Sequence, residues 1–171
     1  LWPRPRPIRR PSGTLAIGKE FSRFKEEAGL TRDPRTEESV SPSPYDYRKN
    51  CLLYVPAMPP RHHDADYFDK LASEIRDLLI AAHGHALVLF TSYAAMSAVK
   101  ERLKHQPLPF SLFTMGRNAS HTMAQFKAAP GSVLLAPGAA WGGCDFPGDV
   151  VSLLVIPRLP FQYPYSLHDT K

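Results

Sequence analysis

Cysteine is scarce in this sequence of 171 residues, which contains only Cys51 and Cys144. The two lie far apart and neither belongs to a C-x-x-C pair, so the sequence supports neither a disulfide scaffold nor a zinc site. Unpaired thiols are typical of a reducing compartment, and we expect a cytoplasmic protein.

Long apolar runs are also lacking. No run approaches the roughly 20 residues that a membrane-spanning helix needs, and the opening Leu-Trp-Pro-Arg-Pro-Arg-Pro lacks the apolar stretch of a secretion signal. We therefore predict a protein that has no membrane partner.

Several signatures of catalytic or ligand-binding sites are absent as well. There is no G-x-x-x-x-G-K-[ST] loop to hold nucleotide phosphates and no G-x-S-x-G nucleophile elbow. The seven histidines, among them His83 and His85, show no convergent spacing of metal ligands. The sequence thus predicts no catalytic residue and no metal ligand, and a small-molecule α/β enzyme is the least supported function.

Positive charge is concentrated at the amino terminus. Four of the net +5 charges come from Arg4, Arg6, Arg9 and Arg10, so the rest of the chain is nearly neutral. A basic tail is usually a solvated arm, and charge alone does not indicate nucleic-acid binding. Proline alternates with these arginines over residues 1–11 and removes amide donors, so we predict a disordered tail.

Residues 12–50 have the composition of a connector. Apolar residues recur at helical spacing over residues 21–30, whereas the remainder is polar and contains proline. Residues 51–55 then form a short apolar run that stops at Pro56, which is typical of a buried strand.

Helical and strand patterns alternate through residues 51–171. Helical spacing predicts helices at 68–82, around Met96, Val99 and Leu103, and at 120–127, while continuous apolar runs predict strands at 86–90, 110–113, 132–136 and 151–156. Gly84 is expected to end the first of these helices. The alternation predicts crossover connections and a mostly parallel sheet in a three-layer α/β domain.

Ligands bind in open parallel sheets beyond the carboxyl ends of the strands, and three segments fall there. Thr91-Ser92-Tyr93 follows the strand at 86–90, and its hydroxyls either hold a phosphate or cap the next helix; residue type favours capping. Arg158 follows the last predicted strand. It either meets phosphate or lies exposed on a proline turn, with equal weight.

A glycine-rich stretch at residues 138–149 is the third segment. Its glycines allow the backbone to approach a ligand closely, and Asp145 could order a basic group, a metal-bound water or a ribose hydroxyl. In the alternative, a tight surface loop, Asp145 makes turn hydrogen bonds and Trp141 packs on the core. Residue type alone favours the surface loop.

In chain order, these segments resemble the motifs of DinG- and XPD-like helicases, the iron-sulfur group of superfamily 2. Residues 12–16, Ser-Gly-Thr-Leu-Ala, resemble motif III, and residues 43–47, Ser-Pro-Tyr-Asp-Tyr, resemble the S-P-F-D-Y segment that leads into the second motor domain. Residues 86–93 resemble motif IV. Residues 141–148 resemble motif V, W-E-G-x-D-x-P-G, with Gly142 in place of the glutamate.

The resemblance implies a RecA-like domain of the P-loop NTPase type, incomplete at its carboxyl-terminal end. Residues 51–171 would be the second motor domain, and residues 12–50 a motif III remnant and interdomain connector. Implied nucleotide-binding or coupling residues are Ser12, Gly13, Thr14, Gly143 and Asp145, and implied DNA-binding residues are Thr91, Ser92, Tyr93, Trp141 and Arg158.

In that family, two motor domains close on ATP and Mg²⁺ and pull single-stranded DNA with 5′-to-3′ polarity, and the iron-sulfur cluster belongs to the first domain. The Walker motifs, the four-cysteine cluster and the final Q-x-x-G-R-x-x-R motif are not in this sequence. The resemblance therefore implies part of an ATP-dependent DNA helicase that binds no cofactor and is inactive by itself. Its partners would be single-stranded DNA and the first motor domain. The alternative is a non-catalytic α/β module that binds single-stranded nucleic acid or a protein.

Overall fold

The computed structural model describes residues 12, 15–57, 65–116, 118–138, 142 and 144–160. The chain divides into two compact units, residues 1–55 and residues 56–171. The tail predicted at residues 1–11 lies outside the described residues.

The first unit contains two short helices, α1 (Ser22–Glu27) and α2 (Tyr47–Asn50). The side chain of Asp46 caps α2 by accepting a hydrogen bond from a backbone amide of its first turn. Between the helices, Arg35 donates side-chain hydrogen bonds to Asp33 and thereby lowers the pKa of that carboxyl to about 2. The helix predicted in this unit is confirmed, with shorter bounds.

The buried strand predicted at residues 51–55 is wrong. These residues form no regular element, and their side chains are exposed, with Leu52 at 91% and Leu53 at 84%. A strand needs a neighbour that satisfies its amides and carbonyls, and the described residues of this unit contain no such strand. An apolar run alone does not supply that neighbour.

The second unit carries the remaining regular elements. They are α3 (Tyr67–Ala81), β1 (Ala86–Phe90), α4 (Tyr93–Lys104), β2 (Leu112–Thr114), α5 (Ala119–Ala128), β3 (Val133–Pro137), a 3-10 turn (Gly148–Val150) and β4 (Leu153–Val155). The helices and strands predicted here are confirmed, and their ends differ from the predicted bounds by at most two residues.

The described strands form one parallel sheet in the order β2-β3-β1-β4. β1 is hydrogen-bonded on both sides: Ala86 lies opposite Val133 of β3 and opposite Leu153 of β4. The parallel sheet predicted from the sequence is thus confirmed. Because all strands run the same way, the turns after β1 and β4 lie at the same edge.

Helices cover both faces of this sheet, which gives the predicted three layers. Alternate residues of a strand point to opposite faces. Val88 and Phe90 of β1 pack with α3 and α4, whereas Leu87 and Leu89 pack in a second cluster with Phe126 of α5. β1 and β3 are buried along their whole length, and this explains their continuous apolar sequence.

β4 forms one edge of the sheet and β2 the other, in the part of the chain that the structure describes. β4 pairs with β1 alone, and Leu154 and Ile156 are 53% and 38% exposed. The two residues are two positions apart, so their apolar side chains point to the same face of the sheet. An unpaired edge next to exposed apolar side chains favours association with another chain.

A left-handed turn connects α3 to β1. His83, Gly84 and His85 all have positive φ. The amide of His83 donates to the carbonyl of Ile80, and that of Gly84 donates to the carbonyl of Leu79, the paired bonds of a Schellman motif. As predicted from Gly84, α3 ends at this turn, but His83 and not the glycine occupies the first left-handed position.

Gly84 also makes the closest backbone approach at the amino edge of the sheet. A Cβ atom at this position would lie 1.9 Å from the carbonyl oxygen of Gly131, the residue that leads into β3. Only glycine fits, because the contact leaves no room for a Cβ atom, and the φ of +78° would strain any other residue.

We expect Gly84→Ala to destabilise the fold by about 3 kcal/mol, through left-handed strain and overpacking together. Gly116→Ala is the matched control, because a Cβ there meets nothing within 4 Å; its effect should stay below about 1 kcal/mol. Urea unfolding followed by circular dichroism measures both. Equal stability of the two variants would contradict the packing described for Gly84.

Candidate functional site

A cavity of about 160 Å³ lies at the carboxyl edge of the sheet, where β1 and β4 are neighbours. It is formed by three parts of the second unit that are distant in sequence. The lining includes Tyr67 and Phe68 from the start of α3, Thr91 and Ser92 from the turn after β1, and Pro157 and Arg158 after β4. The structure therefore brings together residues from two segments that the sequence predicted separately, Thr91 and Ser92 from one and Arg158 from the other.

Ser92 caps α4. Its backbone is extended, and its Oγ accepts a hydrogen bond from the amide of Ala95 at 3.2 Å. The capping interpretation of this serine is confirmed, since the bond satisfies one of the amides that a helix start leaves without a partner. A phosphate at this place would have to share the hydroxyl with Ala95.

Thr91 differs from its neighbour. The side chain is exposed, and its hydroxyl makes no hydrogen bond within the described part of the chain. It lines the cavity one residue before the cap of α4. Thr91 is therefore the hydroxyl that is available to a ligand.

The start of α4 adds positive potential to the cavity. The amides of Tyr93 and Ala94 precede the first intrahelical hydrogen bond, and no acidic residue lies in the first turn to neutralise them. Arg158 lines the same cavity and, among the residues that the structure describes, has no ion pair. A guanidinium, free amides and a hydroxyl together suit an anion with several oxygens, such as a phosphodiester.

The remaining predicted site residues are not gathered at this cavity. Tyr93 is 60% exposed beside it and does not line it. Asp145 is exposed in the loop after β3 and does not line it either. Ser12 is exposed in the first unit, and Gly13, Thr14, Trp141 and Gly143 lie outside the described residues.

Phe146 anchors the loop that carries Asp145. Its ring meets Phe126 of α5 edge to face at 5.9 Å, and the ammonium group of Lys127 lies 5.4 Å from the ring centroid. Behind it, Nδ1 of His85 donates to the carbonyl of Asp149 at 2.6 Å. The carboxyl-terminal half of the loop is therefore fixed to α5 and to the start of β1.

Tyr67 and Phe68 are cavity residues that the sequence did not predict. Helical spacing assigned Phe68 to the core and did not consider Tyr67. No pattern in the sequence linked these two rings to the strand ends, and both pack against the border of the core.

Metal binding and membrane insertion find no support in the described residues. They contain no group of three histidine, cysteine, aspartate or glutamate residues placed to hold a metal ion. None of the described helices is long and apolar enough to cross a membrane.

Comparison with known proteins identifies the family. The helicase C-terminal domain family matches residues 75–170, more than half of the chain. The chain belongs to this family. Its matched region begins in α3 and includes Thr91, Ser92, Asp145 and Arg158, so the cavity described above is largely a feature of a helicase C-terminal domain.

Individual relatives agree with this assignment. The chain is 33% identical over 155 residues to the ATP-dependent helicase DinG of Mycobacterium tuberculosis. The aligned residues cover 90% of the chain and 23% of that protein. It is 29% identical over 153 residues to the ATP-dependent DNA helicase YoaA of Escherichia coli, covering 90% of the chain and 24% of YoaA. A relative in Bacillus subtilis, described as a 3′-5′ exonuclease DinG, is 30% identical over 170 residues, covering 94% of the chain and 18% of that protein. The chain thus spans about a quarter or less of the length of these relatives.

The two adjacent hydroxyls should respond differently to removal. Ser92→Ala deletes the cap of α4 and should lower stability by about 1 kcal/mol, whereas Thr91→Ala removes no hydrogen bond within the described residues and should change stability by less than about 0.5 kcal/mol. Thermal unfolding of the two variants provides the comparison. A larger loss in Thr91→Ala than in Ser92→Ala would show that the roles are assigned the wrong way round.

Proposed function

We propose that this chain is the second motor domain of an ATP-dependent DNA helicase and that the cavity at the carboxyl edge of its sheet holds the backbone of single-stranded DNA. Membership of the helicase C-terminal domain family supports the first part. The second part rests on one observation: Thr91, the start of α4 and Arg158 line one cavity, and within the described residues the Thr91 hydroxyl has no hydrogen bond and Arg158 has no ion pair.

A phosphodiester matches this arrangement because it carries one negative charge and several acceptor oxygens. Arg158 would supply charge and donors, the amides at the start of α4 would donate along the helix axis, and Thr91 would donate its hydroxyl proton. These groups read no base edge, so the binding would be independent of sequence. That suits a motor that must move along any strand.

The role of the domain in ATP hydrolysis is proposed from the family resemblance. Ser12, Gly13, Thr14, Gly143 and Asp145 would then contribute to the nucleotide side and to its coupling with DNA. ATP and Mg²⁺ would bind between this domain and a first motor domain, because this sequence has no loop that holds nucleotide phosphates by itself. By itself, the chain would not hydrolyse ATP.

From the family resemblance we expect closure of the two motor domains on ATP to drive translocation, with 5′-to-3′ polarity. An iron-sulfur cluster does not fit this chain, since such a cluster takes four cysteine ligands and the sequence has two cysteines. It would belong to the first motor domain. Tyr93 and Trp141 are proposed as further DNA contacts from the resemblance alone.

Binding of a labelled single-stranded oligonucleotide, followed by fluorescence anisotropy over a range of salt concentrations, tests the DNA surface. Arg158→Gln should reduce the slope of log affinity against log salt concentration by about 0.7, the contribution of one phosphate contact on a single strand. Thr91→Ala should weaken binding about fivefold through the loss of one hydrogen bond. Arg48→Gln is the matched control, because it removes the same charge from an exposed residue outside the cavity.

A second control addresses the basic tail. The measurements are repeated in a variant in which Arg4, Arg6, Arg9 and Arg10 are replaced by glutamine, so that the tail no longer contributes charge. The proposal is wrong if the wild-type chain does not bind, or if Arg158→Gln and Arg48→Gln reduce the salt slope equally. ATPase activity measured together with a first motor domain separates the helicase from a non-catalytic binding module.

A further inference from the structure

Part of the lining of the cavity is aromatic. Tyr67 and Phe68 form the first turn of α3, with their ring centroids 5.2 Å apart and their planes at 78°. Both rings touch the border of the core that α3 and α4 share, both are half-buried, and both line the cavity. Part of this aromatic surface therefore faces the cavity.

Phe68 is held in place by a charged residue of α4. The guanidinium of Arg102 lies 5.7 Å from the centroid of the Phe68 ring and also donates to the carboxylate of Asp69 at 2.5 Å. A further hydrogen bond of Arg102 to the carbonyl of Ala98 fixes its side chain along α4. Phe68 therefore belongs to the contacts that Arg102 makes between α3 and α4. Tyr67, the first residue of α3, can be substituted without removing these contacts of Arg102.

The size of the cavity limits what can occupy it. A cavity of roughly 150 Å³ accommodates one benzene ring, so about 160 Å³ leaves room for one flat ring. The lining offers rings and apolar atoms, including those of Phe90, together with Thr91, the start of α4 and Arg158. A nucleotide unit has the same two parts, a flat base and a phosphate.

We propose that the cavity holds one unpaired base of the bound strand, stacked on the ring of Tyr67, while the adjacent phosphate lies against Thr91, the start of α4 and Arg158. This inference rests on the proposed function and names the part of the substrate that the aromatic side recognises. Every base has a flat π-face, so stacking adds affinity without reading sequence. It also selects single strands over duplex, because a paired base is already stacked on its neighbours.

Two oligonucleotides of equal length separate base from phosphate: one of thymidine and one with the same backbone but abasic sites. Anisotropy measures their binding to the wild-type chain, to Tyr67→Leu, which keeps apolar bulk without a ring, and to Tyr67→Phe, which keeps the ring. Tyr67→Leu should bind the thymidine strand about tenfold more weakly and the abasic strand as the wild type does. Tyr67→Phe should bind both strands as the wild type does.

Tyr47→Leu is the matched control, because Tyr47 is also the first residue of a helix, is 62% exposed and lies outside the cavity. It should leave the binding of both strands unchanged. Thermal unfolding of each variant measures whether the fold is intact.

The stacked base is overturned if Tyr67→Leu binds the thymidine strand as tightly as the wild type while Arg158→Gln still reduces the salt slope; the proposed phosphate site would then stand without it. An equal loss on the thymidine and abasic strands would also overturn it, because the substitution would then act on the phosphate site. If the wild-type chain binds neither strand, the proposed function itself fails and the base site fails with it.

Discussion

The position of β1 between β3 and β4 is the constraint on which the cavity depends. Thr91 follows β1 directly and Arg158 follows β4, so the two side chains meet only because these strands are parallel neighbours. The alternation of β4 favours this register, since Leu153 and Val155 pack against the core below α3 and α4 while Leu154 is 53% exposed, and a shift by one residue would exchange them. Gly84, at the amino end of β1, fits against Gly131 at the start of β3 and leaves room for no side chain.

Most helices and strands of the second unit could be predicted from the sequence, because each of them follows from a local pattern of apolar residues. Continuous apolar runs identified β1 and β3, which are buried on both faces, and helical spacing identified α3. The failure at residues 51–55 has a clear cause. That run has the composition of a strand, but composition does not say which strand lies beside it, and hydrogen bonding to a neighbour decides whether a strand forms.

The candidate site was predictable to the extent that it follows from the strand ends. Thr91 and Arg158 were predicted by the rule that ligands bind beyond the carboxyl ends of parallel strands, and both line the cavity. Tyr67 and Phe68 belong to the start of a helix that lies before β1, and no pattern along the chain connects them to β4. The sequence also could not show which of the two hydroxyl residues caps α4, because serine and threonine are both common capping residues and stand side by side.

The contacts of Arg102 have a mechanical consequence. This side chain joins α4 to Phe68 and Asp69 of α3, over a core that both helices share. The side chain therefore joins the two helices that supply walls of the cavity. A strand bound there would move together with the domain. In a helicase, movement of the strand would then arise from the displacement of this domain relative to the other domains, and the cavity would keep its hold on the strand during that displacement.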